Sequence, residues 1–185
     1  SENHEEAFAL MNQFPFATVV NIANGRANIS HLPLTTKKSG GSIEIIGHMA
    51  RANSQWQTFA NSQVTAIFHG SHTYISPHWY ADGGVPTWNY SVVHAIGKVD
   101  LIEDYDQIVQ CLKEQTFHIE KHWPSGWNFS IPSDLNGDIL PNRIVGFKIS
   151  VDEINFKEKL SQNRTAEDRI GVLAGLSKRS DENSR

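Results

Sequence analysis

The 185-residue sequence predicts a mainly β domain, a mostly antiparallel barrel with helices at its periphery. Six or seven apolar, β-branched or aromatic segments follow one another along the chain, separated by turn residues. Only three or four segments have helical periodicity, and they do not alternate with the strands as in a βαβ fold. The dipeptide Asn24-Gly25 between two of the apolar segments is a strong hairpin signal. We therefore expect strands in meander order within a single domain.

The first half of the chain begins with a short helix. Ala7, Phe8 and Met11 lie on one face of it, and Pro15 follows its end. The predicted elements are a helix at 5–13, strands at 16–22, 26–34 and 42–48, a turn at 35–41, a helix at 54–60 with Asn53 as N-cap, a strand at 64–69, and a strand at 73–76 that is separate or its continuation.

The second half contains the clearest helix, because Ile108, Cys111, Leu112, Gln115 and Ile119 trace one face of it. The predicted elements are a strand at 88–101 that a glycine bends, this helix at 104–122, a turn-rich segment at 123–141, closing strands at 143–150 and 154–160, and a helix at 166–178 before a frayed tail. The whole chain, 1–185, is expected to be one domain with a C-terminal helical extension at about 161–178.

The charge balance of the chain weighs against a large nucleic-acid footprint. Sixteen basic and twenty acidic residues give a net charge of −4, and the basic residues are not clustered. Cys111 is the single cysteine, which excludes an internal disulfide and is typical of a reducing cytoplasm. No apolar run reaches the length of a membrane span, and no secretory signal is present. The first residue is not Met, so we expect the natural N-terminus to differ.

Residues 68–90 form an aromatic and nearly uncharged stretch with three histidines and two tryptophans. Two interpretations are open: a wall of rings and hydrogen-bonding groups for a flat ligand, or strands whose aromatic side chains fill a core. His69 and His72 have the spacing of metal ligands, but residues three apart on a strand point to opposite faces. No metal site is predicted.

Residues 47–56 run from a strand end into a helix start. A helix N-terminus with an adjacent arginine is an anion site, which makes Arg51 a candidate phosphate ligand with His48 and Asn53 as hydrogen-bonding partners. An exposed arginine in a helix cap is the equally open alternative. Arg164, in the polar segment 159–164, is a second arginine that could donate paired hydrogen bonds to an anion. By itself this segment indicates only a capped loop before the last helix.

Taken together, several segments resemble the PaiB family of FMN-binding negative transcriptional regulators, also described as protease synthesis and sporulation regulators. The resemblance covers residues 14–176, and the motifs that carry it are SHLPL at 30–34, GHMARANSQW at 47–56, ISPHWY at 75–80, VPTWNY at 85–90, IVGFKI at 144–149 and KLSQNR at 159–164. It implies a bacterial, cytoplasmic flavoprotein with a split β-barrel of the pyridoxamine-phosphate-oxidase type. It also implies a homodimer with FMN at the subunit interface.

In such barrels the flavin phosphate lies where the third strand runs into the following helix. The isoalloxazine edge lies along the second strand, and the partner subunit adds an aromatic and polar wall. On the matching positions, the resemblance implies that FMN contacts Ser30, His31, Leu32, His48, Met49, Ala50, Arg51, Asn53, Thr87, Trp88, Asn89, Gln162 and Arg164. No residue is assigned to catalysis.

Three functions are open. The family resemblance favours a negative regulator of transcription that acts on DNA directly or indirectly. The helix at 104–122 is acidic and unsuited to a DNA groove, which favours the indirect route. The predicted pocket favours a small FMN-dependent oxidoreductase or flavin reductase. A haem-binding protein with a histidine ligand is the third alternative. Whether the protein is an enzyme is left open by the sequence.

Overall fold

The computed structural model describes residues 2–60, 62–121 and 126–179. The strands are β1 (Phe16–Ala23), β2 (Arg26–Pro33), β3 (Thr35–Ser39), β4 (Ser42–Ala50), β5 (Gln63–Ile75), β6 (Thr87–Ile102) and β7 (Ile144–Lys159). The α-helices are α1 (Glu2–Gln13), α2 (Tyr105–Glu120), α3 (Ile139–Arg143) and α4 (Ala166–Ser177), and short 3-10 helices span Ser54–Thr58, Pro77–Trp79 and Ser133–Leu135.

All seven strands form one antiparallel sheet in the order β2-β1-β5-β6-β7-β4-β3. The predicted antiparallel sheet is confirmed, and the predicted meander order is wrong at two places. The hairpin β1–β2 joins the sheet beside β5, and the hairpin β3–β4 joins it beside β7. Non-consecutive strands meet because the long strands β5, β6 and β7 are bent by bulges, which curls the sheet.

The turn between β1 and β2 is the predicted hairpin. Asn24 has φ 52° and Gly25 has φ 72°, the left-handed conformations of a type I′ turn. The turn sets the register, because Ala23 pairs with Arg26 immediately outside it. The local chemistry of two residues therefore fixes the alignment of both strands along their full length.

Several predicted boundaries differ from the structure. The strands predicted at 64–69 and 73–76 are one strand, β5, with a bulge between His69 and His72. Those predicted at 143–150 and 154–160 are likewise one strand, β7. The expected turn at 35–41 contains strand β3, an edge strand that pairs with β4. Its polar sequence does not have the pattern of a strand.

The helix predictions hold with changed limits. The helix expected at 54–60 is a 3-10 helix at Ser54–Thr58, with Asn53 confirmed as N-cap. Helix α2 ends at Glu120 with Lys121 as its C-cap, and the predicted end at His122 lies outside the described residues. The segment predicted as turns contains α3, and its residues 123–125 also lie outside the described residues, as does the tail beyond residue 179.

The core fills the inside of the curled sheet. Alternate residues of each strand point inward, and Phe59 meets Phe147 edge to face at 5.5 Å. Helix α1 adds Ala7, Leu10 and Met11 to the same cluster. The main cluster consists of Ala7, Leu10, Met11, Ala17, Val19, Leu34, Ile45, Met49, Phe59, Val64, Ala66, Phe68, Val93, Ala95, Val145, Phe147 and Ile149.

The opposite side chains of β1, β2, β5, β6 and β7 point away from this core. We call them the outer sheet face; it comprises Phe16, Thr18, Val20, Ile22, Ile29, His31, Thr65, Ile67, His69, Val92, His94, Ile96, Asn155 and Lys157, and it continues through His72, Tyr74, Trp88 and Tyr90. Phe16, Ile22 and Ile29 are each more than half exposed there, at 64%, 61% and 56%. These three apolar side chains are therefore left uncovered by the described residues.

Candidate flavin site at the split of the barrel

The barrel is split between β2 and β4. Strand β2 pairs with β1 alone among the described strands, so its other edge is free. Residues 47–50 of β4 extend beyond the last residue that pairs with β3, so they also have a free edge. Asn53 Nδ2 donates to Ser30 Oγ at 2.7 Å and ties the two sides together. The two segments predicted to hold flavin, 30–32 and 48–53, therefore flank this split.

The hairpin register shows which backbone groups of β2 face the split. Because Ala23 and Arg26 flank a two-residue turn, they form a hydrogen-bonded pair, and such pairs recur at every second position. Ser30 and Leu32 then bond to β1, whereas the N–H and C=O of Ile29 and His31 point toward the free edge. His31 therefore offers a backbone donor and a backbone acceptor beside the split.

Side chains in this strand alternate between two environments. Ser30 is 7% exposed and faces the inside, where Asn53 binds it, and Leu32 packs against the core. His31 is exposed on the outer sheet face, with its ring 6.4 Å from that of Phe16. A ligand at the split therefore meets the side chain of His31, whereas Ser30 and Leu32 serve mainly to hold the strand.

Arg51 lies at the end of β4 with its guanidinium group engaged on three sides. Its Nε donates to the carbonyl of Pro141 at 2.5 Å, its Nη2 to Glu103 at 2.6 Å, and its plane lies 4.9 Å from the Trp56 ring. The Arg51 side chain is 25% exposed and that of Glu103 is 54% exposed. An anion that approaches from solvent competes only with a well-hydrated carboxylate, so the guanidinium group is available to a phosphate.

The helix N-terminus that was expected to assist Arg51 contributes little. The helix is a single 3-10 turn of five residues, and the Asn53 side chain already accepts from the Gln55 amide at 3.1 Å. A macrodipole needs several aligned peptide units, which this segment lacks. The role predicted for Asn53 changes accordingly: it caps the turn and bridges to Ser30.

His48 projects from β4 toward helix α2, where Gln115 meets it. The His48 Nδ1 and Gln115 Oε1 atoms are 2.7 Å apart. Burial lowers the pKa of His48 from its ordinary value, and the hydrogen bond with Gln115 opposes that shift. His48 is therefore neutral near pH 7. Of its neighbours in the predicted set, Met49 is buried in the core and Ala50 is exposed at the strand end.

Gln115 is a site residue that sequence reasoning missed. It was assigned to the apolar face of α2, yet it is 3% exposed and donates from Nε2 to the carbonyls of Pro33 at 2.7 Å and Ile46 at 3.5 Å. It therefore bridges β2 and β4 across the split. The signal that could have found it is a polar residue in an otherwise apolar stripe, because a buried amide needs partners.

The second predicted set lies at the far end of β5, β6 and β7. Thr87 accepts a hydrogen bond from Lys159, Trp88 is 54% exposed, and Asn89 Oδ1 accepts from Ser161 Oγ at 3.1 Å. Trp88 stands on the outer sheet face with its ring 6.1 Å from that of Tyr74. Of this set, Trp88 has the exposed ring that can cover a flat ligand.

The segment after β7 folds back against the same end. Gln162 accepts from the Leu160 amide at 2.7 Å, which holds the turn. Arg164 lies 4.1 Å over the Tyr80 ring and 3.9 Å from the Asp168 carboxylate. The Arg164 head is thus positioned by residues of the ISPHWY motif and of α4.

The two sets are far apart within one chain. In the sheet, Ser30 of β2 lies level with Ala66 of β5, through Val19 of β1 between them. Asn89 of β6 lies level with Thr73 of β5. Seven positions along a strand correspond to about 20 Å. The structure therefore brings together the members of each set, and it does not bring the two sets together in one chain.

The bulge in β5 changes the expectation for its histidines. His69 pairs with Val92 and His72 with Tyr90, so both histidines project from the outer sheet face and not from opposite faces. Even so, no group of three or more His, Cys, Asp or Glu side chains among the described residues could hold a metal ion.

Comparison with known proteins identifies the family. Residues 1–153 match the model of a family described as "Putative FMN-binding domain". The chain belongs to this FMN-binding family. It is 38% identical over 186 residues to the protease synthase and sporulation protein PAI 2 of Bacillus subtilis, a match covering 99% of this chain and 88% of that protein. The resemblance to PaiB proteins is thereby confirmed, and FMN is the cofactor that the family assigns.

Solved structures confirm the fold. An FAD- and heme-binding protein from Mycobacterium smegmatis superposes with a TM-score of 0.66 at 13% identity, over 92% of this chain and 78% of that one. A protein of the pyridoxinephosphate oxidase family from Clostridium acetobutylicum superposes with a TM-score of 0.53 at 12% identity, over 86% and 90% of the two chains. The domain is a split barrel of this type, as the resemblance implied.

The family match ends at residue 153, so Gln162 and Arg164 lie outside it. Within the described part of the chain, no helix is long and apolar enough to cross a membrane.

The residues at the split fit FMN chemically. The pyrimidine ring of a flavin presents an acceptor–donor–acceptor edge, which the free backbone N–H and C=O of His31 can match. The Arg51 guanidinium group can pair with a phosphate. When bound, FMN supplies the redox chemistry, and the protein supplies orientation and electrostatics.

Proposed function

We propose that the protein is a PaiB-like, FMN-binding negative regulator of transcription that works as a homodimer in the cytoplasm. The 38% identity to the protease synthase and sporulation protein PAI 2 supports the regulatory role, and the separation of about 20 Å between two sets of candidate residues on one barrel supports the homodimer. A flavin held at the split of one subunit receives its aromatic wall from a second subunit. Flavin binding then depends on dimer formation, and the dimer is the form of the protein that acts in regulation.

The outer sheet face supports the dimer. Its exposed apolar side chains extend from Ile22 and Ile29 at one end to Trp88 at the other. From strand spacings its area is about 700 Å², close to the roughly 800 Å² that each partner contributes to a standard interface. A two-fold axis through the middle of two such faces would bring the Trp88 end of one subunit over the opposite end of the other.

Charge supports an indirect route to transcription. The net charge is −4, and α2, the longest helix among the described residues, carries Asp106, Glu114 and Glu120 against one lysine, Lys113. A DNA groove needs a basic surface. We infer that the protein alters gene expression through a partner or a flavin-linked signal and not through its own contacts with DNA.

A mixing experiment tests the shared site. Arg51→Ala damages the split and Trp88→Ala damages the wall, so each homodimer binds FMN poorly. In a random mixture, half of the dimers are mixed, and each of these has one intact site, so about a quarter of all sites recover. A flavin-fluorescence titration after mixing, with Arg51→Ala plus Asn53→Ala as the control pair that recovers nothing, measures this. Absence of recovery, in variants that exchange subunits, contradicts the interfacial site.

Two further measurements separate the functions. Salt-sensitive and sequence-selective retention of DNA by the purified protein would favour direct repression over the indirect route. Turnover of reduced nicotinamide with an electron acceptor would favour the second candidate, an FMN-dependent oxidoreductase. We expect tight FMN binding without either activity.

A further inference from the structure

We propose that Gln115 is a positioning residue of the flavin site, which fixes His48 as a hydrogen-bond acceptor toward the ligand. The inference rests on the proposed flavin site at the split. It assigns His48 to a donor group of the ligand, an N–H or a ribityl hydroxyl, and separates it from the phosphate that Arg51 binds.

The first step is the orientation of the Gln115 amide. Its nitrogen lies 2.7 Å from the carbonyl oxygen of Pro33 and 3.5 Å from that of Ile46. A carbonyl oxygen only accepts, so the amide nitrogen must face this pair. The reversed amide would place three oxygens together in a site where Gln115 is 3% exposed. Oε1 therefore faces His48.

The second step is the tautomer of His48. Because Gln115 Oε1 is an acceptor 2.7 Å from His48 Nδ1, the proton of the neutral ring is on Nδ1. Nε2 then carries a lone pair. Among the described residues no partner occupies Nε2, and His48 is partly exposed. A phosphate oxygen is repelled by that lone pair, whereas an N–H or O–H group is bound by it.

The third step is the location. Gln115 bonds to the Pro33 carbonyl at the end of β2 and to the His48 side chain on β4. One amide group therefore links the two strands that flank the split and also orients the His48 ring. The carbonyl of Pro33 lies at the free edge that the hairpin register predicts, the same edge to which the backbone of His31 belongs. Gln115 thus ties helix α2 to the edge that faces the ligand.

Charged groups around His48 are already paired. Lys37 of β3 binds Glu114 of α2, Lys148 of β7 lies 3.4 Å from Glu44 of β4, and Arg51 binds Glu103. Burial raises the pKa of the nearby Cys111 thiol on α2, so it stays neutral. The protonation of His48 is consequently controlled by burial and by Gln115.

Nitrogen NMR of the imidazole rings tests the tautomer directly. In the wild-type protein near neutral pH, we expect His48, assigned by comparison with His48→Leu, to carry its proton on Nδ1. In Gln115→Met, which keeps the shape and removes the acceptor, we expect the proton to move largely to Nε2. The exposed Gln107 on the same helix provides the control, Gln107→Met. A wild-type proton on Nε2 overturns the inference.

FMN titrations test the consequence for the ligand. We expect His48→Leu to weaken FMN and riboflavin equally, by about ten-fold each, because both share the donor groups and only FMN has the phosphate. In Gln115→Met the ring no longer holds its proton on Nδ1, so FMN and riboflavin should both be weakened, by less than in His48→Leu, whereas Gln107→Met should bind both as the wild type does. Wild-type affinity in Gln115→Met, or a loss confined to FMN in either variant, overturns the assignment.

The two proposals fail in different ways. If the wild-type protein does not bind FMN, the proposed flavin site fails, while the NMR measurement still decides whether Gln115 sets the tautomer. If it binds FMN and Gln115→Met behaves as wild type in both measurements, the flavin site stands and the role of Gln115 is refuted.

Discussion

Arg51→Ala should weaken FMN binding and leave riboflavin binding unchanged. The guanidinium group now binds Glu103, whose side chain is 54% exposed, so this ion pair contributes only about 0–1 kcal/mol. A charge-assisted bond to a phosphate contributes about 1.5–3 kcal/mol. The phosphate therefore displaces Glu103 at a net gain of about 0.5–3 kcal/mol, and losing Arg51 should raise the Kd for FMN by about 2- to 150-fold.

The variant should remain folded. Truncation removes the bond to the Pro141 carbonyl and the contact with the Trp56 ring, together about 1–2 kcal/mol. A domain of this size typically has about 5–15 kcal/mol of stability, so a modest fall in Tm is expected without unfolding. Circular dichroism melting separates this effect from loss of ligand binding.

The assay is a quenching titration of flavin fluorescence with FMN and with riboflavin. Lys98→Ala, which removes another exposed positive charge, is the control. Glu103→Gln removes the competing carboxylate and should tighten FMN binding by up to about five-fold. The reasoning is refuted if Arg51→Ala leaves FMN affinity intact, or if it weakens FMN and riboflavin by the same factor.

Three further outcomes are expected. Asn53→Ala loses the cap of the 3-10 turn and the bond to Ser30, so the free energy of unfolding should fall by about 1–2 kcal/mol in urea denaturation; an unchanged midpoint would contradict the bridging role. Ile29→Lys, on the exposed outer sheet face, should give a folded monomer in sedimentation velocity, and a persistent dimer would place the interface elsewhere. Burial and the neighbouring Lys157 lower the pKa of His94 from its ordinary value of 6.5, so its neutral form is favoured in the folded state. Stability should therefore fall as the pH drops below about 6.5, with a smaller fall in His94→Gln, and equal melting curves for both proteins across that range would exclude this source.

The sequence predicted the elements whose signals are local. Asn24-Gly25 specifies its own turn conformation, and Asn53 caps the turn that follows it. The periodicity of α2 likewise reflects one face packed on the barrel. Such features depend on neighbours a few residues away, so they are readable without the fold.

The sequence misplaced elements whose existence depends on distant partners. Strand β3 is polar and short, and it is a strand because β4 supplies its hydrogen bonds. The two histidines at 69 and 72 share a face only because β6 pairs with β5 across a bulge. The alternation of side chains along a strand does not show where a bulge will insert an extra residue and reverse the faces of the residues that follow.

For the candidate site, the sequence by itself determined the family, the cofactor and the two segments that flank the split. Only the tertiary structure decided which groups these residues contact and which of them face the ligand. It paired Arg51 with an exposed carboxylate, turned Ser30 inward and brought Gln115 from α2 to His48. These outcomes depend on which groups face each other once the sheet has curled, and buried polar groups must then find partners far along the chain.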